Sequence, residues 1–222
     1  MHNLCTIWVE SGNRHPHILP FLGFCHNFGH LPALVYDFCD NGSIRQYLQF
    51  NPSADKLQLT LEAASGLAFL HSKKIIHADI RAANILINDK GQACIHDVGL
   101  ALVIGQSDFT SASIAGPCRW MPPDVLLAGG DESDPLMGYS VWSDIWAFGM
   151  TILEVYTGEV PFSDTRHDAA VIRKIIQDVR PPRPSADLMG NEMWNICETC
   201  WNKTPEARPT MEALGKWLLE LR

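Results

Sequence analysis

The chain has 222 residues, 46% of them hydrophobic, enough for one large domain or two small ones around a sizeable core. With 25 acidic residues against 17 basic ones the formal net charge is −8, which argues against a general nucleic-acid or membrane-surface binder. The seven cysteines are an odd number without the spacing of a disulfide framework, so a reducing, intracellular (cytoplasmic) setting is expected.

The start, "MHNLCTIWVE", has no basic opening and no long apolar run, so no signal peptide is read there. From Arg14 to Asp37 no Asp, Glu, Lys or Arg intervenes, a span long enough to cross a bilayer. Its middle, "HNFGHLP", is turn chemistry, so two strands joined by a hairpin loop, "HILPFLGFC" and "ALVYDF", explain it better than a membrane segment. His26 and His30 are read as loop residues within it, not metal ligands. A short helix, "IRQYLQF", follows Gly42-Ser43. A longer one is expected from about Leu57 to Ser72, with Leu61, Ala64, Leu67 and Leu70 near helical spacing.

Next comes "IIHADIRAANILI", Ile75 to Ile87, an apolar run broken by Asp79, Arg81 and Asn84. A buried strand would need a partner for each polar group. A loop carrying chemistry between two short elements accounts for them directly. "ACIHDVGLA" follows, then a segment without clear periodicity up to Asp124. "SDIWAFGMTILEVYTG" reads as a helix started by Ser143 or Asp144 and ended by Gly158. Apolar residues surround it almost completely, which predicts a central, buried position. Further helices are expected near 168–178, 189–201 and 210–221, the last capped by Thr210. Cys197 and Cys200 form a lone C-x-x-C on an apolar helical pattern with Met193 and Trp201, and are read as core thiols.

His77-Ala78-Asp79, Arg81 and Asn84, followed thirteen residues later by Asp97-Val98-Gly99, resemble the catalytic core of eukaryotic protein kinases. Pro122-Pro123-Asp124 stands where that family has Ala-Pro-Glu. Asp144, Trp146 and Gly149 match its D-x-W-x-x-G helix, and "CWNKTPEARPT" matches its late Cys-Trp…Arg-Pro segment with Arg208. The resemblance runs from about His15 onward and implies an α+β, kinase-like fold. Residues 1–38 would be a remnant of the small lobe, with the end of a helix and two strands. Residues 39–222 would be the helical large lobe with hinge, catalytic loop and activation segment.

The resemblance further implies ATP and Mg²⁺ as cofactors and a protein hydroxyl as acceptor. Asp79 would be the catalytic base, and Asn84 and Asp97 the Mg²⁺ ligands. Arg81 would steady phosphate or substrate. Asp37, Phe38 and Cys39 would offer backbone groups to adenine, Tyr36 would guard the back of the pocket, and Leu86 joins the nucleotide-binding set. His77 is expected to pack and hydrogen-bond. Asp124 and Arg208 are expected to form a buried ion pair, strained by an aspartate one methylene shorter than the family's glutamate.

The departures are as informative. No G-x-G-x-x-G occurs, and the first lysine is Lys56, already past the hinge. The acid that would pair with the nucleotide-binding lysine falls by spacing near Thr6, and Glu10 is out of register. Ala78 replaces the arginine that answers activation-loop phosphate, so phosphorylation at Thr110, Ser111 or Ser113 is expected to act little on this loop. Val98 replaces the family's Phe. "DIRAAN" and "PCRWMPPD" resemble the tyrosine-kinase and tyrosine-kinase-like groups, which leaves the acceptor open between Ser/Thr and Tyr. Two readings compete: a kinase domain truncated in this chain, or a pseudokinase-like protein-interaction module.

Overall fold

The computed structural model describes residues 15–25, 33–99, 117–128 and 138–222. Thr6, Glu10, Arg14, His26, His30, Thr110, Ser111 and Ser113 lie outside them. Two small antiparallel sheets and a mostly helical body make up the described chain. Strands β1 (Phe21–Cys25) and β2 (Ala33–Tyr36) pair with Phe21 opposite Tyr36 and Cys25 opposite Ala33. Strands β3 (Ile85–Ile87) and β4 (Ala93–Ile95) form the second sheet, Ile85 opposite Ile95. The segment before β1 extends that second sheet: Leu19 N donates to Ile95 O at 2.8 Å and Ile95 N to His17 O at 2.9 Å.

Helix α1 (Ile44–Phe50) starts with a capping box, in which Ser43 Oγ accepts from Gln46 N and Gln46 Oε1 accepts from Ser43 N. Helix α2 (Lys56–Ser72) is capped by Asp55, which accepts from Gln58 N at 2.9 Å. Its inner face buries Leu59, Ala63, Ala64, Leu67 and Leu70. Leu67 and Leu70 are fully buried, each stabilising the fold by roughly 1.5–3 kcal/mol. The same helix presses against the chain before β1. A Cβ on Gly66 would lie 2.5 Å from His17 O, so only glycine permits that approach.

Helix α3 (Pro123–Ala128) and a 3₁₀ turn at Pro117–Trp120 give regular structure where the sequence shows no periodicity. Both are too short for a periodic pattern to register. Helix α4 (Val141–Thr157) is buried continuously from Ser143 to Val155 and forms the central axis. It starts at Val141, three residues earlier than a Ser143 cap implies. Ser140 is the cap, in a capping box with Ser143, and Ser143 therefore sits in the first turn. Gly158, at φ 74°, closes the helix in the left-handed conformation that glycine adopts without strain.

Helices α5 (Asp168–Ile176), α6 (Asn191–Cys200) and α7 (Met211–Glu220) complete the body. Helix α6 packs on α4 and α7 packs on α2. Cys197 and Cys200 are fully buried and reduced. Among the described residues no helix is long and apolar enough to cross a membrane. Arg208 meets Asp124 through both carboxylate oxygens, at 2.5 and 3.2 Å, and also donates to Trp142 O and Asn202 O. The shorter aspartate thus reaches the guanidinium with both oxygens, because α3 brings it close. The strain expected from the missing methylene is not visible in this paired geometry.

Candidate active site

The loop from Lys73 to Asn84 is held from below by one carboxylate. Asp144, 1% exposed on α4, accepts from His77 N and Ala78 N, each at 2.8 Å, and meets His71 Nε2 at 2.9 Å. Ala78 sits at φ 68°, a left-handed conformation that disfavours a residue with a Cβ. The two bonds to Asp144 offset that strain.

A second buried acid, Glu154 on the same helix, accepts from Ala82 N and from Trp120 Nε1, each at 3.1 Å. It ties the catalytic-type loop to the segment at Pro117–Trp120. Burial pushes its carboxyl above the usual range, while the Ala82 amide, Arg45, the Trp120 indole and Arg81 pull the other way. Thr151 Oγ1 adds a bond to Ile80 O at 3.3 Å.

His77 is fully buried and bonds through Nε2 to His96 O at 2.9 Å, and Gly99 N donates to His77 O. It joins the two polar loops. Burial lowers its pKa, against the opposing charges of Asp144 and Asp79.

Asn84 Nδ2 donates to Asp79 Oδ2 at 2.7 Å and to Asp79 O at 2.8 Å. Arg81 Nε lies 3.2 Å from Asp79 Oδ2, an ion-pair contact without directed hydrogen-bond geometry. Asp79 Oδ1 is buried and has no hydrogen-bond partner among the described residues. His96 N donates to Asn84 O, which sets Asp97 next to the same loop. The structure therefore brings Asp79, Arg81 and Asn84 into contact and places Asp97 on the adjoining segment.

Asp97 has partners of its own. Its Oδ2 lies 3.3 Å from His96 Nδ1, and the Tyr36 phenol faces it. Burial alone would raise the Asp97 carboxyl. The His96 hydrogen bond and charge, the Tyr36 phenol and His77 outweigh it and hold the group below its usual value. The Tyr36 phenol is pushed up by burial and by the Asp97 charge. Its ring packs edge-on to Phe21 at 5.6 Å and to His96 at 5.9 Å. Tyr36 and Leu86 pack with Leu19, Cys39 and Cys94 in a small apolar cluster between the hinge and the second sheet. Asp37 and Phe38 do not join it: both are exposed, Phe38 by 84%.

As donors, Asn84 and Asp97 offer hard oxygens of the kind Mg²⁺ takes, with waters or phosphate completing the shell. Turning the Asn84 amide nitrogen to Asp79 leaves its oxygen available, so the residue types fit the ion. No cluster of three or more His, Cys, Asp or Glu side chains suited to a metal occurs among the described residues.

The sequence does not single out Glu154 or His96, and it gives Asp144 only a motif match and a candidate helix start. A lone acid inside "MTILEVYTG" is the signal for Glu154, since a buried carboxylate needs donors. His96 offered only its place beside Asp97. Arg119 was quoted only as part of a motif, and its work is structural. It donates to Pro161 O, Phe162 O and Thr165 O and pairs with Asp168, pinning the Pro117–Trp120 turn to the chain before α5.

Residues 7–218 match the family described as protein tyrosine and serine/threonine kinase. The chain is 32% identical over 185 residues to tyrosine-protein kinase Src64B of Drosophila melanogaster, covering 82% of this chain and 31% of that protein. It is 31% identical to tyrosine-protein kinase FRK of Homo sapiens, covering 96% of this chain and 41% of the relative. A probable serine/threonine-protein kinase of Dictyostelium discoideum is 33% identical over 204 residues, covering 90% and 39%. The chain thus spans well under half the length of these relatives. With a family match over nearly its whole length, and with the motif residues gathered in one place, the chain belongs to the protein tyrosine and serine/threonine kinase family.

Proposed function

We propose that this chain works as a kinase-family protein-interaction module in which phosphoryl transfer is weak or lost. The observation that carries the proposal is the internal engagement of Asp97. Its Oδ2 lies 3.3 Å from His96 Nδ1, a contact that a divalent ion would have to displace. Lys56, the first lysine of the sequence, is engaged elsewhere, its Nζ donating to Tyr156 O. On this proposal residues 1–38 act as a small-lobe remnant and 39–222 as the large lobe and docking body. The setting is intracellular, on the odd number of cysteines without framework spacing.

A second reading, transfer of the ATP γ-phosphoryl group to a protein Ser, Thr or Tyr hydroxyl, is favoured by one feature. Asp79 Oδ1 is an orphaned acceptor where an attacking hydroxyl would donate. In that reading Asn84 and Asp97 hold Mg²⁺, Arg81 steadies the phosphate, and the backbone at Asp37–Cys39 meets adenine beside Tyr36 and Leu86. Incorporation of radiolabelled phosphate into a mixed Ser/Thr/Tyr peptide substrate, with Asp79→Asn as control, separates the two. Turnover indistinguishable from the control supports the interaction module. Turnover that disappears with Asp79→Asn overturns it in favour of the enzyme.

A further inference from the structure

Between the segment before β1, the hinge and the β3–β4 turn lies a cavity of about 690 Å³. Its floor is apolar: Leu19, Cys39 and Cys94 are at most 9% exposed and pack together. Its rim is acidic. Asp37 and Asp89 line it, and Asp40 stands close enough to help raise the Cys39 thiol, after burial and Asp89 and Asp37. Lys90 is the one lysine or arginine among the described lining residues. His15, also in the wall, is kept toward its neutral form by burial and by His17, so it does not balance the acids near neutral pH. Phe38 stands at the same edge with 84% of its surface exposed. An apolar floor, an exposed aromatic ring and two lining carboxylates against one lysine do not suit a phosphate-bearing ligand. They suit a long cationic side chain that lays its stem on the thiols and its head among the acids.

We propose that this cavity docks an extended, cationic segment of a partner protein, with an arginine or lysine directed at Asp89 and an apolar neighbour resting on Leu19 and Cys94. The docking does not require an active cleft, although Asp37, Phe38 and Cys39 line this cavity and also supply the backbone assigned to adenine in the second reading. The apolar cluster under the cavity includes Tyr36 and Leu86, so the docked segment rests on the same layer that backs the nucleotide side of the hinge.

The test is fluorescence anisotropy on the full 222-residue chain with a fluorescein-labelled peptide of alternating arginine and leucine, and a glutamate-for-arginine counterpart. The arginine peptide is expected to bind and the glutamate peptide not. Asp89 is exposed in the β3–β4 turn, so Asp89→Lys should fold normally and weaken binding at least 10-fold. Glu212→Lys, an equal charge change on exposed α7, controls for attraction by the net charge of −8 and should change affinity less than 2-fold. Equal losses in the two variants, equal binding of the two peptides, or displacement of the arginine peptide by Mg²⁺-ATP would each overturn the proposal.

Discussion

Replacing Asp144 by alanine removes the acceptor for one buried and one half-buried backbone amide at once. His77 N and Ala78 N each lie 2.8 Å from its carboxylate, which is 1% exposed. A buried donor left without a partner costs about 1–3 kcal/mol, so the pair amounts to about 4 kcal/mol. His71, also bonded to Asp144, is partly exposed and can turn to water, so it adds little. Against a total stability of about 5–15 kcal/mol the loss is large. Urea unfolding followed by tryptophan fluorescence is the assay, because Trp146 and Trp201 are fully buried. With a slope of about 2 kcal/mol/M the midpoint should fall by about 2 M at unchanged slope. Asp144→Asn keeps one oxygen acceptor and should lose about half as much. If Asp144→Ala remains within about 1 kcal/mol of the unsubstituted protein, the carboxylate is not what holds this loop, and the account of the strained Ala78 fails with it.

Three further outcomes follow from the same geometry. Gly149→Ala should destabilise by about 1–3 kcal/mol in thermal unfolding, because its Cβ would meet Cys200 Cβ at 2.7 Å and Trp201 Nε1 at 2.8 Å. Arg208→Ala should cost about 3–5 kcal/mol in chemical denaturation, since it strands Asp124 and two carbonyls while emptying a fully buried site beside Trp146. The pKa of His77 is lowered on folding, so its contribution is complete above the unfolded value near 6.5 and is lost as pH falls below it toward the folded value. The melting temperature should therefore drop between pH 7.5 and 5.5, with a shallower slope in His77→Gln. Parallel slopes would contradict the assignment.

Much of the fold was legible because its elements carry local signatures. Helix α2 shows a repeated apolar face, and helix α4 shows apolar residues on nearly every side. The Asp79–Asn84 loop stood out because polar groups interrupt an apolar run, which only a turn or a site explains. The start of α4 was displaced for a physical reason. Both Ser140 and Ser143 are competent caps, and only the intervening Val141 and Trp142 adopting helical backbone decides between them. The work of Asp144 and Glu154 was not legible, because each serves backbone amides more than sixty positions away in the chain. His96 falls in the same class: its effect on Asp97 depends on ring orientation, and spacing says nothing about that.

The interior of helix α6 carries a consequence for experiments on this molecule. Cys197 and Cys200 are fully buried, and burial holds both thiols well above their ordinary range. Thiolate, not thiol, attacks alkylating reagents, so these two positions stay silent toward iodoacetamide until the helix lifts away from α4. The lag before they react is thus an internal stopwatch for core opening, readable by mass spectrometry without any dye or engineered handle.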